Sequence, residues 1–171
     1  SLLKSQQSAE IATVTENSTK RVEKINKERT AITEEYQENR LLLTEAKQFL
    51  TSSSKEIASL ERRKDTISDE IDSLTSGECP YCHQEHFDKD KVKELKSERK
   101  DIKAEISELE TSVEEIEEQT GILEGDMEAL QKDLDENADL LNAEKDKLDK
   151  KKSEINDNYE ELFSEAKKEH A

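Results

Sequence analysis

The amino-acid sequence predicts an all-α fold, namely a long antiparallel intramolecular coiled-coil hairpin with a Cys-x-x-Cys motif at its apex. Three observations predict this fold: the composition, an apolar repeat in both halves of the chain, and a single interruption between them. Of the 171 residues, 42% are charged and 30% hydrophobic, and there are only 3 glycines and 1 proline. α/β enzyme folds, sandwiches and barrels need many turns and apolar strands, so this composition excludes them.

Residues 1–76 are predicted to form the ascending arm. Apolar residues recur at alternating steps of three and four, which is the a/d pattern of a coiled coil. A disordered polyampholyte would not keep this phase, and a strict 3.5-residue period implies a left-handed supercoil. The seam positions are Val22, Ile25, Arg29, Ile32, Tyr36, Asn39, Leu43, Ala46, Leu50, Ser53, Ile57, Leu60, Lys64, Ile67, Ile71 and Leu74.

Residues 88–171 are predicted to form the descending arm, because the same repeat resumes there and continues more weakly through Leu148, Ile155 and Leu162. At 1.5 Å rise per residue, each arm would be roughly 100 Å long. The stronger seam positions are Val92, Leu95, Arg99, Ile102, Ile106, Leu109, Val113, Ile116, Thr120, Leu123, Met127, Leu130, Leu134, Asn137 and Leu141.

Residues 77–87 are predicted to form the apex between the arms. Gly77 is placed to end the first helix in a left-handed cap, and Pro80 prevents the helix from continuing. Asp88 is predicted to cap the second arm, with Phe87 packing on Val92 as a hydrophobic staple. These stop and restart signals predict that the chain folds back on itself.

Folding back about this apex predicts which seam positions face each other. Ile71 would face Leu95, and Leu60 would face Ile106. Further pairs along the arms would be Ile57 with Leu109, Leu50 with Ile116, Leu43 with Leu123, and Ile32 with Leu134. Arg29 would face Asn137. This supports the register, because a polar seam residue destabilises a coiled coil less when it lies opposite another polar residue than when it lies opposite Leu.

Two stretches contain poor helix formers, namely Thr51–Ser54 in the first arm and Gly121 with Gly125 in the second. We interpret them as surface positions. The alternative interpretation is a flexible joint in the rod.

The charge balance and the absence of several motifs exclude further classes of function. The net charge is -17, of which -14 falls on residues 79–171, so we expect no direct nucleic-acid binding by this segment. No apolar run approaches the ~20 residues of a membrane span, and no signal peptide is predicted. We also expect no catalytic activity, because the chain has no phosphate-binding loop and no cluster of catalytic groups.

Cys79 and Cys82 are the only cysteines. A Cys-x-x-Cys pair in an intracellular protein indicates metal or redox chemistry. Zn²⁺ takes four tetrahedral ligands, so two cysteines supply half of a site. A second copy of the apex could complete it as a four-cysteine site on a twofold axis.

Two alternatives to a shared site remain open. His83 or His86 of the same chain could complete the shell, and His86 is the stronger candidate because three residues separate it from Cys82. Glutaredoxins also use Cys-Pro-Tyr-Cys, as a redox motif, but within a βαβ fold that this sequence does not predict. Pro80 and Tyr81 would lie at the tip and would form contact surface if two apices met.

The central Cys79-Pro80-Tyr81-Cys82 motif between long coiled-coil arms resembles the zinc hook of the SMC-like DNA double-strand-break repair ATPases. These include the SbcC family and the related phage recombination-endonuclease subunits. The resemblance implies that Cys79 and Cys82 ligate one Zn²⁺ shared by two chains. The chains would form a homodimer through the hook, with Pro80, Tyr81 and His83 at the interface. Many family members have Gly where this chain has His83.

The resemblance also implies a setting for the segment. Full-length family members are ATPases that work with a nuclease subunit and bind DNA through head domains. This chain would be the middle segment of such a protein, with heads contributed by sequence on both sides. The implied location is intracellular, in the cytoplasm or associated with the nucleoid or nucleus.

Overall fold

The computed structural model of the protein describes residues 1–75 and 89–170. These residues form two α-helices and no strand: α1 spans Leu2–Thr75 and α2 spans Lys89–Glu169. The prediction of an all-α fold built from two long helices that pack against each other is therefore confirmed. The predicted apex lies outside the described residues. Neither described helix contains a stretch long and apolar enough to cross a bilayer.

Threonine is common in α1 although its helix propensity is low. The threonine hydroxyls donate to the backbone carbonyl four residues earlier, as Thr44 does to Arg40 (3.0 Å) and Thr66 does to Arg62 (3.0 Å). The hydroxyl thus makes its hydrogen bond within the helix, and does not need a turn conformation that would compete with the helix. The low-propensity residues are thereby accommodated without a break.

The described helices contribute to two packing units. The first consists of Ser1–Asn39 and Asp126–Ala171, and the second of Arg40–Gly125. Each unit therefore contains part of both helices.

The second unit contains the most continuous apolar core. Six residues there are each only 3–5% exposed, and all six were predicted seam positions. The predicted facing residues Ile71 and Leu95 both belong to this core, and Leu60 packs against it. Arg63 pairs with Glu98 beside it. The apolar cluster consists of Ile67, Ile71, Val92, Leu95, Ile102 and Ile106, with Ile57, Leu60 and Leu74 packed on it.

The poor helix formers of the second unit do not all lie on the surface. Gly121 and Gly125 are exposed, and a Cβ built on either would have nothing within 4 Å. Ser53, in contrast, is only 3% exposed, so the prediction that Thr51–Ser54 are surface positions is wrong at this residue. The seam period places Ser53 between the helices, and this period outweighs its low propensity.

The first unit has a seam that is polar in several places. Ser18, Asn137 and Glu144 are buried there. Arg29, which was predicted to face Asn137 in a polar layer, is exposed. The Asn137 amide instead donates to the backbone carbonyl of Ile25 at 2.9 Å.

Candidate metal-binding segment and its flanking helix ends

All residues that the sequence analysis assigned to the metal site lie between the two helices. That segment, residues 76–88, is outside the described residues. The residues concerned are Cys79, Pro80, Tyr81, Cys82, His83 and His86. The structure does describe the helix ends from which this segment departs, at Thr75 and Lys89.

The end of α1 is held by packing and by a hydrogen bond. Leu74 packs against the apolar cluster. The Thr75 hydroxyl donates to the carbonyl of Ile71 at 2.8 Å and also reaches that of Asp72 at 3.4 Å, which is one of the last four carbonyls of the helix. The last turn of α1 is therefore fixed by contacts of the described residues.

The start of α2 is held by the same cluster. Val92 and Leu95 are each 4% exposed, and both lie within the first two turns after Lys89. Fixing both ends of a connecting segment lowers the conformational entropy that it loses when its residues assemble a site. The cluster thus anchors both ends of the segment that contains the cysteines.

Carboxylates dominate the last turns of α1. Asp69, Glu70 and Asp72 lie there, and the last turn contains no basic residue. The negative pole of the helix dipole adds to these charges. The first turns of α2, on the other side of the segment, contain Lys89, Lys91 and Lys93, so the flanking helix ends carry both signs of charge.

The donor set of the segment suits zinc. Two thiols separated by two residues are a common half of a tetrahedral Zn²⁺ site. The shell needs two further ligands, from a second chain or from histidine of the same chain. Among the residues that the structure describes, no group of three or more His, Cys, Asp or Glu is arranged to hold a metal ion.

A buried polar cluster in the first unit was missed by the sequence analysis. The Glu144 carboxylate accepts a hydrogen bond from Arg21 Nε at 2.6 Å, with the Glu144 side chain 10% exposed. The Arg21 hydrogen bond lowers the pKa of Glu144 below its ordinary value of 4.5, burial opposes this, and a hydrogen bond from Ser18 assists it. Ser18 lies four positions before the seam residue Val22, and Glu144 lies three positions after the seam residue Leu141. Extending the seam repeat by one step on each helix would therefore have predicted both positions.

Comparison with known proteins gives no match to a protein-family model, to a curated protein or to a solved structure.

Proposed function

We propose that this chain is a zinc-dependent dimerisation and tethering module of an SMC-like DNA-repair and recombination ATPase. Two antiparallel coiled-coil hairpins would join tip to tip, through one four-cysteine zinc site shared between two chains. The segment itself would not be an enzyme. ATP hydrolysis, DNA binding and contact with a nuclease subunit would belong to head domains outside this sequence.

One observation carries the proposal. The only cysteines, separated by two residues, lie in the single segment between two long helices, and the most continuous apolar core includes residues next to both helix ends that flank it. A core placed there gives the Cys-x-x-Cys pair rigid supports. Two thiols alone leave a zinc shell half filled, and a twofold axis supplies the missing half with the same motif.

Cys79 and Cys82 would hold the zinc ion, which supplies a bridge between chains and no reaction chemistry. Both thiols must lose their protons to ligate, so association should weaken as the pH falls. Pro80, Tyr81 and His83 would form the contact surface around the shared ion. The apolar cluster would keep the two helix ends together whether or not zinc is bound.

The test is the zinc content per chain together with the solution mass, before and after chelation. We expect half a zinc per chain on a dimer that dissociates when the metal is removed. Mass from light scattering and zinc from elemental analysis of the same sample give both values.

Two other results would overturn the shared site. One zinc per chain on a monomer would place His86 in the coordination shell, and His86→Ala would then weaken zinc binding. A dimer that contains no zinc and survives chelation would mean association through the helices. The cysteines would then need a redox role, testable by turnover of a glutathione-type disulfide.

A further inference from the structure

The second unit contains an open apolar groove of about 430 Å³, with walls from both helices. Leu42, Phe49 and Ile122 line it and remain 50%, 38% and 64% exposed. Large apolar side chains that stay exposed together in a groove mark an interaction surface. Glu45 of α1 and Ile116 and Leu123 of α2 also line it.

The apolar residues of this groove interrupt a regular column of charges on α1. Leu42 and Phe49 occupy the position just before the seam, which usually carries Glu or Lys in coiled coils. The same position in the neighbouring heptads is charged throughout, namely Arg21, Glu28, Glu35, Glu56, Arg63 and Glu70. Leu42 and Phe49 therefore make the apolar stripe of α1 wider, over two successive heptads, than the seam that packs against α2.

The dimensions of the groove suit a helix. Leu42 and Phe49 are seven residues apart, which is about 10 Å along the axis of α1. An amphipathic partner helix presents apolar residues at i, i+3 or i+4, and i+7, over the same distance. The groove therefore fits two turns of a third helix laid along the pair.

The charge around the groove indicates which charge a partner helix should carry. No Lys or Arg occurs between Lys103 and Lys132, and eight acidic residues of that stretch lie in the second unit. All eight are exposed, and one of them, Glu124, pairs with Lys47 of α1 at 3.8 Å: Glu105, Glu108, Glu110, Glu114, Glu115, Glu117, Glu118 and Glu124. A second copy of this chain would bring a like-charged surface, which disfavours association, whereas a basic helix would be attracted.

We propose that this groove is a docking site for a basic amphipathic helix of a partner protein. Its apolar face would cover Leu42, Phe49 and Ile122, and its flanking Lys or Arg residues would lie against Glu45, in the groove wall, and the exposed glutamates of α2. This interaction is independent of the cysteines, so it stands or falls separately from the zinc-mediated association.

The probe is a labelled synthetic peptide of roughly 18 residues, about five helical turns, with Leu at i, i+4 and i+7 and Lys on both flanks. Its analogue with Glu in place of every Lys is the charge control. Fluorescence anisotropy with the full chain gives the Kd of each peptide. Measurements with and without a zinc chelator separate docking from the cysteine site.

The groove variant is Leu42→Ser with Ile122→Ser. Its matched control is Leu41→Ser with Leu140→Ser, which removes two leucines that are 61% and 55% exposed but do not line the groove. We expect the groove variant to bind the Lys peptide at least about tenfold more weakly than the wild type, and the control variant to bind it unchanged. Circular dichroism shows that both variants keep their helices.

Several results would overturn the proposal. These are failure of the Lys peptide to bind the wild type, equal binding by the groove variant, or equal binding of the Glu peptide. A wild-type chain that self-associates in chelator and loses this association in the groove variant would assign the groove to a second copy instead.

Discussion

At the scale of single residues, two polar side chains inside the seam of the first unit determine how the helices meet. The Nδ2 of Asn137 donates to the Ile25 carbonyl, while none of the described residues donates to its buried Oδ1. An unsatisfied buried acceptor costs about 1–3 kcal/mol. Sliding the helices would also leave the amide unpaired, so Asn137 favours one register at some cost in stability.

Glu144 gives this part of the seam a dependence on pH. Its pKa is lowered in the folded chain, chiefly by the Arg21 hydrogen bond, so the folded state favours the ionised carboxylate. The resulting stabilisation is present above the ordinary pKa of 4.5 and is lost as the pH falls through the lowered value. We expect Glu144→Gln to remove this acid-dependent loss, measured by comparing urea unfolding of the variant and the wild type between neutral and acidic pH.

The exposed Glu160 on the same helix provides the control. Glu160→Gln should leave the pH profile of the wild type unchanged. If the free energy of unfolding of Glu144→Gln fell with pH in parallel with that of the wild type, Glu144 would not be the source of the pH dependence.

At the scale of elements, the apolar cluster of the second unit stabilises the helix pair beside the cysteine segment. Ile106 is 5% exposed in this cluster, whereas Ile122, on the same helix, is 64% exposed. Identical side chains in opposite environments allow the contribution of burial to be measured directly.

We expect Ile106→Ala to lower the free energy of unfolding by roughly 2–5 kcal/mol, because it removes buried methyl groups and leaves a cavity. Ile122→Ala, the matched control, should change it by no more than about 0.5 kcal/mol. Urea titrations followed by circular dichroism give both values. Equal effects of the two substitutions would mean that the cluster is not the stabilising core.

At the scale of the whole molecule, folding and association are expected to depend on different residues. The described helices are held by the apolar cluster and by polar contacts, such as Gln7 Nε2 with Asn156 Oδ1 at 3.0 Å, and none of these contacts involves a cysteine. Zinc would then be needed to join chains but not to fold them. In that respect the chain would differ from small zinc domains, which are unfolded without metal.

The double variant Cys79→Ser with Cys82→Ser should therefore keep its helicity while losing zinc and zinc-dependent association. His86→Ala is the comparison variant. If the site is built from four cysteines, this variant should keep its helicity, its zinc and its zinc-dependent association. Circular dichroism, elemental analysis and light scattering of each variant provide the readouts. Loss of helix in the cysteine variant would show that the metal, and not the seam, holds the helices.

The sequence by itself determined the helical class, most of the seam and the position of the cysteine pair between the arms, since these follow from a local period and a local motif. The apolar cluster was predictable because every member is apolar and in phase. The tertiary structure decided which seam positions bury polar groups. It left the predicted seam residue Arg29 outside and directed Asn137 to a backbone carbonyl.

The structure also decided which apolar residues stay exposed beyond the seam, as Leu42 and Ile122 do. The environment of each of these residues depends on what lies opposite it on the facing helix. Asn137 meets a backbone carbonyl, Glu144 meets an arginine, and Leu42 and Ile122 meet solvent. Period and propensity describe one helix at a time and carry no information about that partner surface.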